Sequence, residues 1–286
     1  MPRLLALGHV SRDRRPGGDV LGGSVAYAAL AVTKLGWEAA ILTSAGPDFE
    51  PERELPGVPV FLRRSSATTR FVNEYDEEGT RHQVVTARAD DVDLAPLPRA
   101  WRDPDALLLG PLVGELAGVG ATALAADCVG AIAQGYVRAI DASGQVSARE
   151  WARPDRDLCG VHVLFLSEHD LPEADARARE LLAHAPMIAL TRGWRGLTLL
   201  TREGTHEVPS LPRPETDPTG AGDVFAAAFL VRYQETGDPL EAAAFGACAA
   251  SCAVEGVGTT TLGDRDEVLR RMARRERMIE TGDWEE

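Results

Sequence analysis

No apolar run in this chain approaches the ~18 residues needed to cross a membrane as a helix, so no membrane span is expected. Paired cysteine motifs are missing too. Cys128, Cys159, Cys248 and Cys252 form no CxxC unit, and the last two fall four apart in an apolar stretch where they should pack as small hydrophobes. A reduced, cytoplasmic protein is the expectation. The histidines (His9, His82, His162, His169, His184, His206) lack metal-ligand spacing, which removes a zinc site. Positive charge is short: 30 Lys and Arg stand against 44 Asp and Glu, a formal net charge of −14. Such a surface repels phosphate backbones and disfavours nucleic acid as a partner. An anionic ligand then needs a local positive site made of amides, helix ends, arginines or a metal. The opening "MPRLLALGHVSRDRR" has no long apolar segment and no small-residue cleavage site, so a secretory leader is not expected. No internal repeat is visible. The segment "LGHVSRD" (7–13) lacks Gly-x-Gly-x-x-Gly, which sets aside a dinucleotide oxidoreductase, and a Walker A loop is likewise missing.

What is present fits one large α/β unit over the 286 residues. "RLLALGHV" (3–10) reads as a buried strand ending in glycine, "GGSVAYAALAVTKLG" (22–36) as a helix and "EAAILTSAG" (38–46) as a second buried strand, which begins a parallel sheet. "VPVFLRR" (58–64) and "TTRFVNEYDEEGTRHQVV" (68–85) then alternate apolar and polar residues, with "DEEG" (76–79) as a hairpin turn. These strands are expected to form a small antiparallel sheet that projects as a lid. The α/β rhythm resumes with "DALLLG" (105–110), a helix from Val113, "TALAADC" (122–128), "VHVLFLS" (161–167), the helix "LPEADARARELLAHA" (171–185), "PMIALTRG" (186–193) and a hairpin around Glu203 and Gly204. Helices are expected at 221–236, 239–254 and 264–278, the middle one buried because it is apolar nearly all round. The acidic end "ETGDWEE" (280–286) reads as a frayed tail.

The chemistry concentrates at "DPTGAGDVFAAAF" (217–229). Gly220, Ala221 and Gly222 precede Asp223 at a loop-to-helix junction, where free amides and the helix dipole can hold an anion. Asp223 lies in the first turn, within reach of the same point. Amides for a transferred phosphoryl group beside a carboxylate for the acceptor's proton is what transfer to a hydroxyl requires. A plain helix cap explains the bare pattern equally well. The dipole is expected to lower the pKa of Asp223, so that it acts only as the hydroxyl proton leaves in the transition state. Arg70 and Asn73 lie on the lid, where polar side chains either face substrate or, as the favoured reading, form a solvated strand face. Glu115 either faces the pocket or complements a helix N-terminus, and the basic side of "RDEVLRRMARRERM" (265–278) reads as a solvated face.

The stretch 217–229 closely resembles the C-terminal signature of the ribokinase-like (PfkB) family of carbohydrate kinases. "GGSVAYAALAVTKLG", "LTSAGPD", "LSEHD" (166–170) and "LTRGWRG" (190–196) resemble that family's other segments in order, and "AQGYVR" (133–138) resembles a stretch found in some branches. The resemblance implies a doubly wound, mostly parallel α/β sheet flanked by helices, with an antiparallel β lid. It implies a single catalytic domain over 1–286 whose lid strands come from 11–21 and 58–90. It implies an ATP- and Mg²⁺-dependent kinase of a sugar, nucleoside or cyclitol, with inositol-kinase-like branches the faint preference. Asp223 would be the general base and Gly220, Ala221 and Gly222 the anion hole. Asp13, Gly22 and Gly23 would meet the polyol. Thr191, Gly193 and Gly196 would line the nucleotide site. Asp170, with Ser167 or Glu168, would organise Mg²⁺ partly through water. Asp217 and backbone near Gly256 and Gly258 resemble a monovalent-cation (K⁺) site. "GGSVAY" puts Ser24 and Tyr27 where the ribose-specific branch has Lys and Asn, which argues against ribose. Ser167-x-x-Asp170 replaces the usual Asn-x-x-Glu, which leaves room for a catalytically weak member acting as a nucleotide or sugar sensor or scaffold. Pairing of lid strands between subunits would give a homodimer.

Overall fold

A computed structural model describes residues 1–15, 17–75 and 81–283. The expected turn at 76–79 and the last residues of the acidic tail lie outside them. In chain order the elements are β1 (Arg3–Leu7), β2 (Ser11–Arg15), β3 (Gly18–Gly22), α1 (Ser24–Lys34), β4 (Glu38–Ala45), α2 (Pro51–Glu54), β5 (Val60–Arg64), β6 (Thr69–Tyr75), β7 (Arg81–Ala87), β8 (Ala106–Leu109), β9 (Cys128–Ile132), β10 (Arg138–Ile140), β11 (Val146–Ala148), α3 (Pro154–Asp157), β12 (Val163–Ser167), α4 (Ala174–Leu181), β13 (Met187–Thr191), β14 (Leu197–Thr201), β15 (Thr205–Val208), α5 (Ala221–Thr236), α6 (Pro239–Ala253) and α7 (Arg265–Thr281).

Nine strands form the central sheet in the order β15-β14-β13-β12-β9-β8-β1-β4-β5. From β5 to β13 every pairing is parallel, and β14 and β15 close one edge as antiparallel strands. Strands covered on both faces must be apolar throughout rather than alternating. Leu4, Leu5, Ala6 and Leu7 of β1 accordingly have no exposed surface, and the same holds for Ala106 to Leu109 of β8. α1, α5 and α6 cover one face of the sheet, and α4 with the 92–124 region covers the other. The doubly wound architecture expected from the sequence is the one observed.

The lid is a four-stranded sheet in the order β3-β2-β6-β7. Two antiparallel hairpins are joined in it through a parallel β2–β6 pair. The segment 58–64 is not in this sheet. β5 pairs in parallel with β4 at the edge of the core, and its alternation reflects a strand that is half-covered there. No helix starts at Val113. That segment is a turn clasped by the buried carboxylate of Glu115, which accepts N–H bonds from His9 (2.8 Å), Leu112 (2.9 Å) and Val113 (2.8 Å). Glu115 therefore neither faces the cavity nor caps a helix. The strand expected at 122–128 begins at Cys128, after a short 3-10 turn. On α7 the basic residues are solvated only in part, with Arg270 and Arg277 exposed. Arg271 bonds Glu255 and Glu267, and Arg275 donates to the carbonyl of Pro209, so both are buried against α6 and the 209–213 segment.

The three C-terminal helices fall where the sequence places them. Asp238 caps α6 by accepting from Leu240 N (2.8 Å) and Glu241 N (3.2 Å), with Pro239 at the first position. Asp264 caps α7 through Glu267 N (2.9 Å). α5 and α6 are apolar on nearly every side, and Cys248 and Cys252 are buried between them and their neighbours. Phe165 of β12 meets Phe225 and Phe229 of α5 edge to face, with centroids 5.8 and 5.5 Å apart. This cluster fixes where the N-terminus of α5 points.

Candidate active site

A cavity of about 760 Å³ opens between the lid, the C-terminal ends of the core strands and the start of α5. This is where a parallel α/β sheet characteristically places its ligands. Asp13 on lid strand β2, Gly23, Ser24 and Tyr27 line it together with Phe71, Gln83, Gln134 and Arg138. Leu197, Leu211, Ala247, Ala250 and Val254 add an apolar lining. Gly220, Ala221, Gly222 and Asp223 line it at the start of α5.

The chain is left-handed at Gly220 (φ 81°), and a Cβ there would overlap the ring of Tyr27. Glycine is needed for both reasons, and the turn starts α5 without a side-chain cap. The N–H groups of Gly220, Gly222 and Asp223 have no protein acceptor among the described residues, whereas Ala221 N donates to Pro218 O at 3.2 Å. The free amides stand at the positive end of a 16-residue helix.

The Asp223 carboxyl is surrounded by protein but keeps a water-accessible face toward the cavity. Burial raises its pKa to about 6, and the charges of Asp170 and Asp13 push the same way. Ser24 and Arg138 oppose them and are outweighed. The lowering expected from the helix dipole is not the net result, because removal of the carboxylate from water dominates. A base with a pKa near 6 is mostly ionised at neutral pH yet far better able to take a proton than an ordinary aspartate.

Asp13 accepts from Ser11 Oγ at 2.9 Å and presents its carboxylate to the cavity. Gly22 does not reach the cavity itself. Its missing side chain makes room for Asp13, since a Cβ would collide with that carboxylate. Gly23 does line the cavity and is left-handed (φ 97°) as it starts α1. Thr191, Gly193 and Gly196 line the cavity at the end of β13 and the turn beyond it. Gly196 (φ 93°) lies so close to the backbone of Val208 and Ser210 that no side chain fits.

Ser167 and Asp170 also line the cavity. One carboxylate oxygen of Asp170 accepts from Ser167 N at 2.7 Å, and burial raises the pKa of this group. Glu168 is held in ion pairs by Arg195 and Arg192. Among the described residues no three ligand-type side chains converge on one point. The donor set is a single free carboxylate oxygen plus hydroxyls. That suits Mg²⁺, which keeps most of its waters and takes phosphate oxygens with one protein carboxylate. Asp217 does not line the cavity. It lies behind the loop, 8% exposed and paired with Arg15.

Sequence reasoning gave no site role to Arg138, Gln134, Gln83, Phe71 or Arg15. Arg138 lies over the Phe71 ring at 5.8 Å, and its charge opposes the larger upward push of burial on Asp223 and Asp170. The "AQGYVR" segment carried the signal for Gln134 and Arg138. Nothing local marked Phe71 or Gln83, which reach the cavity only through lid pairing. Arg70, expected on a solvated face, bonds Asp19 and Asp48 and stays outside the cavity.

Residues 157–265 match the family model described as pfkB family carbohydrate kinase. Among characterised proteins, the cytidine kinase of Thermococcus kodakarensis is 26% identical over 268 residues, which span 83% of this chain and 90% of that one. A solved ribokinase-family pyrophosphate-dependent kinase, complexed with a pyrophosphate analogue and myo-inositol, superposes with a TM-score of 0.78 at 22% identity and covers 93% of this chain and 99% of its own. The ATP-bound fructokinase of Xylella fastidiosa gives a TM-score of 0.77 at 19% identity, over 96% and 99% of the two chains. The resemblance read from the sequence is borne out.

Proposed function

We propose that the chain is a ribokinase-like member of the pfkB family and an ATP-dependent kinase of a small polyhydroxylated acceptor: a sugar, nucleoside or cyclitol. One observation carries the reading. A carboxyl with a pKa raised to about 6 and three amides with no protein acceptor among the described residues stand together at the start of α5 on one cavity.

The acceptor hydroxyl lies against Asp223, positioned by Asp13, whose carboxylate accepts from vicinal hydroxyls, and by Gln83 and Gln134. The γ-phosphoryl group faces the amides of Gly220, Gly222 and Asp223, which compensate charge on its equatorial oxygens as the transfer proceeds. The acceptor oxygen forms its bond to phosphorus while its proton passes to Asp223. The bond from the bridging oxygen to phosphorus breaks, and ADP departs. Asp170, with Ser167 beside it, would hold Mg²⁺ through water, and the ion when bound neutralises charge on the β- and γ-phosphates. Thr191, Gly193 and Gly196 border the path of the donor.

The apolar wall of Leu197, Leu211, Ala247, Ala250 and Val254 supports a nucleotide over inorganic pyrophosphate, since pyrophosphate has no apolar surface to bury. Asp170 and Asp223 lining one cavity supports catalysis over a purely sensing role. The whole of 1–286 acts as one catalytic domain. The exposed β3 edge, bonded on one side only among the described residues, is the lid surface through which two copies would pair. Among the described residues no helix is long and apolar enough to cross a membrane. The four free cysteines support a reducing cytoplasm as the setting.

The test is phosphate transfer from ATP or pyrophosphate to a panel of sugars, nucleosides and inositols, with Asp223→Asn alongside. ATP-dependent product that disappears in the variant is expected. Near-normal turnover in Asp223→Asn would sink the mechanism, and turnover with pyrophosphate alone would sink the donor assignment.

A further inference from the structure

The resemblance puts a monovalent cation beside Asp217, and the structure fills that position with a side chain of the protein. Arg15, the last residue of lid strand β2, reaches the loop that leads into α5. Its Nη1 lies 2.8 Å from Asp217 Oδ2, and its Nη2 donates to Thr219 Oγ1 at 3.3 Å. The other oxygen of Asp217 accepts from Thr219 N at 3.0 Å, and Oδ2 also receives Gly258 N at 3.5 Å. Both carboxylate oxygens are thus in use. Burial works against the ionised Asp217, but the bonds from Thr219 and Arg15 outweigh it and hold its pKa below the usual value. A metal cation at the same oxygens would face a guanidinium across a few ångströms of poorly solvated space. The donor set does not fit it.

The same contacts tie the lid to the anion hole. Thr216 N and Asp217 N donate to Val254 O at the end of α6, at 2.7 and 3.2 Å, so one side of the loop is anchored to the core. Arg15 holds the other side from the lid. Thr219 directly precedes Gly220, whose N–H is one of the three free amides.

We propose that the Arg15 guanidinium, carried in by the lid, is the cation of Asp217 in this chain. Phosphoryl transfer here then needs no monovalent metal ion, and seating of the lid and ordering of the anion hole are one event. Arg15 is a positioning residue, acting through Asp217 and Thr219. The mechanistic half of this inference rests on the kinase reading, whereas the cation-site half does not.

Two readouts separate them. In thermal unfolding at matched ionic strength, wild-type protein should melt at one temperature in KCl, NaCl and tetramethylammonium chloride. Arg15→Ala should melt lower and regain stability in KCl but not in tetramethylammonium chloride, because the vacated carboxylate then accepts an ion. In turnover, the wild type should be equally active in the three salts. Arg15→Ala should lose about tenfold or more in kcat. KCl should restore part of that loss, and Arg15→Lys should retain most of the activity. A wild type stabilised or activated severalfold by K⁺ over tetramethylammonium overturns the proposal, as does an Arg15→Ala variant with wild-type kcat. Should no substrate be found, the melting series alone still decides whether the site takes an ion.

Discussion

Asp223 answers to two requirements that pull in opposite directions. A buried carboxyl beside two other acids costs stability, while the same surroundings make it a usable base. Its pKa of about 6 in the folded chain exceeds the unfolded value, so the folded state binds the extra proton between the two. Stability from this group therefore falls as pH rises through that window. Asp223→Asn should raise stability by about 1–2 kcal/mol at pH 7.5, with the gain vanishing near pH 4. Chemical denaturation at the two pH values checks this, and an unchanged or lower midpoint at pH 7.5 would contradict it. In the wild type, kcat/KM should climb about tenfold per pH unit below 6 and level off above it, with the apparent midpoint shared by the interacting acids. A profile flat from pH 5 to 8 would remove Asp223 as the titrating base.

At the scale of elements, the start of α5 is set by one glycine and one aromatic cluster. Gly220→Ala adds a methyl group that meets the Tyr27 ring and forces a left-handed backbone on alanine. Turnover should fall by about 100-fold or more, while the melting temperature drops only modestly because the loop faces the cavity. Phe229→Ala works through packing instead. It removes a fully buried ring from the contact with Phe165 and should cost about 3–5 kcal/mol. Denaturation of the two variants separates an effect on the site from an effect on the core. A large stability loss in Gly220→Ala with intact turnover in the folded fraction would reverse the assignment.

For the molecule as a whole, the net charge of −14 opposes the approach of every phosphorylated ligand. The compensating positive features are local: the α5 amides, Arg138 and the arginines of the 192–195 turn. Screening should therefore help the encounter. With ATP as donor, kcat/KM should rise by roughly two- to fivefold as tetramethylammonium chloride goes from about 10 to 150 mM, the reverse of a steered, basic enzyme. A monotonic fall over that range would show that the local positive field extends well beyond the cavity.

Alternation of strands and helices, the caps at Asp238 and Asp264, and the glycine-rich turn before Asp223 are short-range features that follow from neighbouring residues. Their causes lie within a few residues: backbone freedom at glycine, side-chain oxygens near free amides, unbroken apolar runs that have to be covered. The tertiary structure alone decided which sheet β5 joins, because its half-covered alternation suits a lid strand and a core edge equally. It alone turned Glu115 from a pocket or helix-end charge, and Arg271 from an apparent surface charge, into buried and bonded groups, since partners such as His9 and Glu255 lie 106 and 16 residues away. The direction of the Asp223 pKa belongs to the same class. A helix N-terminus is visible in a string of letters, but the volume of protein packed around a carboxyl is not, and here that volume outweighs the dipole. Arg15 meets Asp217 across a separation that no local pattern encodes, through a lid whose seating only the folded chain defines.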